Sequence, residues 1–237
     1  VQCGRLKTVL IVQTTVAYTP KHNPVNYFKN KEGAAIVRCI VRTIQANKDY
    51  LGSVDGEIGD GDHGVNMNKG FTMAGERLED GHTFSEACRV VAQALMEDIG
   101  GSMGPLYGSF FKALWRHSKS LENISAENYG TMLQAATEAV MEIGGAKVGD
   151  KSLIDTLVPA YQAFQCALAD KADFTQALQR STAAAEAGKE STRALVAKIG
   201  RSARLGERSR GVLDAGAVSS FLILQALHGG IAASLQD

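Results

Sequence analysis

The sequence predicts an all-α fold, a barrel or bundle of eight helices, on three observations. Apolar residues recur at helical spacing from residue 30 onward, whereas no useful strand-like alternation appears after residue 26. Helix-opening signals recur along the chain, among them Thr83-Phe-Ser-Glu86 and Asp173-Phe-Thr-Gln176. Aromatic residues make up only 6% while alanine is abundant, which favours close helix packing over a β-sandwich.

Taken in order, Asn30 caps a first helix whose apolar face holds Ala35, Ile36, Cys39, Ile40 and Ile44. An aspartate- and glycine-rich loop follows, and a second helix starts near His63 with Val65, Phe71 and Leu78 along it. Thr83 and Glu86 form a capping box that opens a third helix to Asp98. The Gly100–Gly108 stretch breaks the pattern before a fourth helix reaching Ser118. Ser125 caps a fifth, stopped at Gly144-Gly145, and Ser152 begins a sixth through Leu153, Leu157 and Phe164. Asp173 opens a seventh running to Ile199, and an apolar eighth spans Ala217 to Leu235. Polar loops lie at 54–66, 100–108, 149–155 and 200–216. Antiparallel helices return alternate connections to one end, so these loops can share a single mouth.

The 237 residues suffice for one large domain, with residues 1–26 read as an extension and 27–237 as the domain. Lys plus Arg and Asp plus Glu balance at 25 each, which removes the basic excess of a nucleic-acid binder. Cys3, Cys39, Cys88 and Cys166 are scattered without a metal-ligand spacing, and free thiols in a reducing cytoplasm are expected. No run approaches the ~18 or more apolar residues of a membrane span. Arg5 and Lys7 precede an apolar stretch, but no signal-cleavage pattern follows it.

The tightest constraint on function is the segment Val54 to Gly70, where Asp55, Asp60 and Asp62 stand within eight residues. Three crowded carboxylates repel one another unless a cation lies between them, and interleaved glycines permit the tight backbone. Magnesium favours a few carboxylates completed by water and phosphate oxygens, so the loop reads as a site for a metal–nucleotide complex. An ordinary Asp-Gly turn is the competing reading. An EF-hand fits poorly, since its third, fifth and twelfth places would hold Glu57, Gly59 and Asn66. His63 can be read either as a packing or capping residue or as part of the site.

Four segments in order, Ile58-Gly-Asp-Gly-Asp-His-Gly-Val-Asn-Met-Asn68, Gly104-Pro-Leu-Tyr-Gly-Ser-Phe-Phe111, Gly149-Asp-Lys-Ser-Leu-Ile-Asp155 and Gly200-Arg-Ser-Ala-Arg-Leu-Gly-Glu-Arg-Ser209, resemble the L subunit of dihydroxyacetone kinase. The resemblance runs from residue 30 to the C-terminus and implies a closed barrel of eight antiparallel helices that binds ADP or ATP. It implies two Mg²⁺ ions on Asp55, Asp60 and Asp62, bridging the nucleotide phosphates. It further implies nucleotide contacts from His63, Gly64, Val65 and Asn66, from Ser102 and Met103, and from Gly149. Arg201 matches a family arginine that reaches the nucleotide and would offset charge on the transferred phosphoryl group, while Asp214, Ala215 and Gly216 match a closing Asp-Pro-Gly. Two positions depart from the family pattern. Met103 stands where a hydroxyl is expected, with Ser102 beside it, and Ala215 replaces the proline. Lys151 and Asp155 read better as a local helix-start cluster than as ligand contacts.

The resemblance also implies a partner, because the family's ketose is bound covalently by a separate K subunit or domain that no segment here resembles. In one version of the enzyme ATP is the exchangeable donor; in the other, bound ADP is rephosphorylated by a phosphocarrier protein of the phosphotransferase system. Met103 and Ala215 incline the reading to the ATP-using or unspecified version. The acceptor ketose stays open, as does self-association into a homodimer. Two rival readings remain: a non-catalytic nucleotide sensor docking on a regulator, and a fatty-acid kinase, whose family usually has Thr in place of His63.

Overall fold

The computed structural model describes residues 26–236; the expected N-terminal extension lies outside them except for Asn26. Nine α-helices are present among the described residues: α1 (Ala34–Ala46), α2 (Lys48–Gly56), α3 (His63–Arg77), α4 (Phe84–Asp98), α5 (Met103–Ser118), α6 (Ala126–Gly144), α7 (Ile154–Ala169), α8 (Phe174–Ser191) and α9 (Ala215–Ser234). Short 3₁₀ turns cover Asn30–Glu32, Thr192–Ala194 and Arg201–Ser209. Strands β1 (Tyr27–Lys29) and β2 (Asn123–Ser125) pair antiparallel, with Phe28 opposite Ile124. The all-α expectation is correct, and this small ribbon is an addition to it.

From α3 to α9 each helix packs on the next, α1 packs on α3, and α9 returns to α1, so eight helices close a cycle. The ninth, α2, is the one the sequence reading missed. Residues from Val54 on, Asp55 and Gly56 among them, read as a loop, yet Leu51 and Val54 are buried and anchor a helix that packs on α3.

Helix starts follow local chemistry. Thr83, Ser125 and Asp173 each accept the backbone N–H three residues on, and Glu86, Asn128 and Gln176 reciprocate in full capping boxes. Helix α6 ends as expected at Gly145, whose φ of 63° suits a glycine terminator. Two expectations fail at α1. Asn30 is not its cap: the side chain is buried, donates to the carbonyls of Ser118 and Leu121, and accepts the Ser85 N–H. Its amide is thereby consumed in tying three segments together, and α1 begins only at Ala34. The buried face is Ile36, Val37, Ile40, Val41 and Ile44, leaving Ala35 and Cys39 exposed. Helix α8 stops at Ser191, short of Ile199, because the Thr192 hydroxyl bonds back to the Lys189 carbonyl and the chain turns into a 3₁₀ bend.

Helix α9 is apolar on every face, the pattern of a helix enclosed by others. By length and hydropathy it would pass for a membrane span, contrary to the sequence reading, but 67% of that apolar stretch is buried inside the fold. Phe28 of β1 meets Phe84 edge-on at 5.3 Å, and Tyr129, Phe164 and Phe174 continue the aromatic cluster between α6, α7 and α8.

Candidate functional site

The four polar loops singled out in the sequence all meet at one cavity of about 360 Å³. Antiparallel packing does this: α3, α5, α7 and α9 start at that end, and α4, α6 and α8 start at the other. The two ends differ in how their amides are used. The far-end helices carry complete capping boxes, whereas the cap residues of α3 and α5 make no side-chain capping bond. First-turn N–H groups have no intrahelical acceptor, and together with the helix dipole they favour an anion. Asp214 caps α9 and the first amides of α7 bond to Ser152 and Leu153, so it is the starts of α3 and α5 that meet the cavity with amides available to a ligand.

Asp55 comes from the last turn of α2, Asp60 from the following turn and Asp62 from the residue before α3. Each offers a carboxylate oxygen, and the three oxygens lie within 4.8 Å of one another. An all-oxygen, all-anionic donor set fits a hard divalent cation such as Mg²⁺. Gly59 sits where a Cβ would strike the Asp55 carboxylate, and Gly64 where one would strike the Lys48 carbonyl. Only glycine lets the turn fold over Asp55 and α3 approach α2 so closely. Arg201, reaching from across the mouth, pairs with Asp60 and lies 3.4 Å from Asp62.

His63 is buried, and burial pushes its imidazole down to about 4, against the opposing pull of Asp55. Its Nε2 lies 2.9 Å from Ser219 Oγ on α9, which also meets Tyr107 Oη of α5 at 2.6 Å. Burial raises the Tyr107 phenol to about 12. A neutral imidazole, a neutral phenol and a hydroxyl therefore knit α3, α5 and α9 behind the aspartates. Ser219 carried no recognisable signal in the sequence, since it sits inside regular helical text; Tyr107 stood within the Gly100–Gly108 break and the second family-like segment without being singled out.

Most of the expected site residues line the cavity. Asp55, Asp60, Asp62, His63 and Asn66 form one side; Ser102 and Met103 stand at the start of α5; Arg201 and the Asp214–Gly216 segment complete it. Gly64, Val65 and Gly149 do not line it. Gly64 is packed against α2, the Val65 side chain is exposed, and the Gly149 N–H donates to Asp155 Oδ1 at 2.6 Å. Asp214 caps α9 by accepting the Ala217 N–H at 2.8 Å, and burial pushes its carboxyl up to about 6. Lys151, read from sequence as local, also lines the cavity and is buried.

Fold and site define an all-α protein whose helix starts and three carboxylates face one cavity. A DAK2-domain family model matches residues 57–229. The chain is 34% identical over 188 residues to the ADP-binding subunit DhaL of a PEP-dependent dihydroxyacetone kinase of Listeria innocua, covering 78% of this chain and 87% of that one. It is 37% identical over 186 residues to the corresponding PTS-dependent subunit of Lactococcus lactis, covering 78% and 88%. The chain therefore belongs to the DAK2-domain family and, within it, to the DhaL subunits of dihydroxyacetone kinases, which are phosphotransferases. The native crystal structure of the dihydroxyacetone kinase of C. freundii superposes with a TM-score of 0.63 at 23% identity, a likeness of fold. It covers 97% of this chain, which spans 39% of that longer kinase.

Proposed function

We propose that this chain is the nucleotide-holding subunit of a dihydroxyacetone or related ketose kinase, binding ADP or ATP with Mg²⁺ and passing a phosphoryl group to a ketose held by a separate K subunit. The observation that carries it is a contrast among helix starts: amides bonded to capping side chains at α4, α6 and α8, but left for a ligand at α3 and α5, which open on the cavity beside three carboxylates. Polyphosphate needs both positive dipole ends and a cation to offset its charge.

In this reading Asp55, Asp60 and Asp62 hold Mg²⁺, two ions in the fuller form, and the metal supplies charge neutralisation at the phosphates. The first turn of α3 offers the backbone amides of Gly64 and Val65, whose side chains stand outside the cavity lining. Ser102, whose hydroxyl makes no capping bond, offers a donor at the place where Met103 cannot. Arg201 swings between carboxylate and phosphate oxygens and counters charge on the transferred group. Asp214, Ala215 and Gly216 form the wall at the start of α9. The acceptor hydroxyl and its general base belong to the partner, and cytoplasmic residence follows from that chemistry.

Between the two donor schemes, the relatives covered over most of their own length are named PEP- or PTS-dependent ADP-binding subunits. That favours ADP as a retained coenzyme recharged by a phosphocarrier, against the earlier inclination to exchangeable ATP. Titration calorimetry with ADP, with and without Mg²⁺, tests the core of the proposal: binding that needs no metal would overturn it. Stoichiometric ADP surviving extensive dialysis separates the coenzyme scheme from the exchangeable one.

A further inference from the structure

Lys151 adopts a left-handed backbone, φ 62°, and its side chain is buried to 1% exposure. Such a conformation is uncommon outside glycine and persists where the surroundings over-determine it. Among the described residues the other left-handed lysine, Lys171, is exposed just past the end of α7, a common place for it. Lys151 has no such excuse. Its Nζ donates to the Thr192 carbonyl at 2.5 Å and to the Val212 carbonyl at 2.6 Å.

Those two carbonyls are the two ends of the segment 193–211, which leaves α8, carries Arg201 and returns to α9. One ammonium thus braces the base of that loop, beside the Gly211 N–H that donates to the Arg193 carbonyl at 2.8 Å and the Arg210 guanidinium that donates to the Ala194 carbonyl at 2.5 Å. The loop holding Lys151 is itself fixed: Asp155 accepts the N–H groups of Gly149 and Ser152, and Asp150 accepts that of Lys147. Thr192 extends the tie by accepting the Asp214 N–H on its Oγ1 at 3.1 Å. The base of the Arg201 loop and the Asp214 wall are therefore referenced to one buried cation.

We infer that Lys151 is a positioning residue, stapling the base of the 193–211 loop so that Arg201 reaches the phosphate side of the cavity. The inference rests on the nucleotide reading of the cavity. Removing the staple loosens the loop ends, leaves the backbone that carries Asp55, Asp60 and Asp62 untouched, and acts on nucleotide through Arg201.

The test is a double-mutant cycle of Lys151→Met and Arg201→Ala, read by calorimetry of Mg-ADP, with hydrogen exchange of the ligand-free proteins alongside. Each single variant should weaken Mg-ADP about 10-fold or more on the scale of a lost charged contact, and the double variant should be no weaker than the worse single. Exchange in Lys151→Met should speed up over 193–211 while α3 and α5 keep wild-type protection, and Mn²⁺ binding without nucleotide should be unchanged. Multiplicative losses in the double variant, or exchange raised evenly across the protein, would overturn the inference. Should Lys151→Met fail to fold, Lys151→Gln, which keeps an amide donor, carries the same cycle. If the unmutated protein binds no Mg-ADP, the nucleotide reading fails, and the exchange pattern over 193–211 still decides the staple.

Discussion

Asp60 and Asp62 are exposed or half-exposed and face Arg201 across the cavity mouth, so their charges serve a ligand more than the fold. Exposed ion pairs contribute about 0–1 kcal/mol. Asp60→Asn or Asp62→Asn should leave the ligand-free protein within about 0.5 kcal/mol of its parent. Either change should weaken Mg-ADP by on the order of 100-fold, the scale of a lost charged contact. Thermal melts with and without Mg-ADP read both effects, and an undiminished ligand shift in either variant would remove the aspartates from the site. Arg201→Ala carries a different signature. Because the guanidinium shares the same carboxylates, the variant should bind Mn²⁺ alone at least as well as the parent. Phosphoryl transfer with a K subunit should fall by about 100-fold or more, as for a lost transition-state donor. Parallel losses of metal affinity and rate would mean that Arg201 merely braces the loop.

Among the elements, the capping pattern separates stability from binding. Thr83 caps α4 at the end away from the cavity, and Thr83→Ala should cost about 1 kcal/mol while leaving Mg-ADP affinity unchanged. Ser102 precedes α5 at the cavity and caps nothing, so Ser102→Ala should hold stability within about 0.5 kcal/mol and weaken the nucleotide. Urea unfolding beside calorimetry checks the pair, and a stability loss in Ser102→Ala would show that its hydroxyl serves the helix after all. The same contrast explains what was legible beforehand. Capping boxes are local in sequence, so the starts of α4, α6 and α8 could be read directly. The aspartate triplet was legible because its three members crowd one short segment. Asn30, Lys151 and Ser219 were not, since each is defined by partners that only tertiary packing supplies: Ser118 and Ser85, Thr192 and Val212, His63 and Tyr107. Helix α2 escaped for the opposite reason, its glycines and aspartates imitating a loop while Leu51 and Val54 hold it in the core.

For the molecule as a whole, the buried titratable groups set how the fold responds to acid. His228 lies inside the helix ring, 2.7 Å from Thr182 Oγ1, edge-on to Tyr129, with its Nε2 unpartnered. Burial pushes it down to about 3 from 6.5. Between those values the unfolded chain holds a proton that the folded chain does not, so stability is complete above pH 6.5 and falls as pH drops. The slope is about 1.4 kcal/mol per pH unit for one such group. His63, pushed down to about 4, acts in the same direction. Asp214 acts in the other: raised to about 6 from 3.8, it binds its proton first in the folded state and offsets part of the loss between those values. The net weakening should therefore set in just below pH 6.5 and run at about the slope of one histidine, Asp214 offsetting the other. His228→Gln removes one titrating group from the interior, and its loss of stability between pH 6.5 and 4.5 should be shallower by about 1.4 kcal/mol per unit. Urea unfolding at stepped pH measures this, and an unchanged slope would mean that the folded protein already accommodates a protonated imidazole in its core.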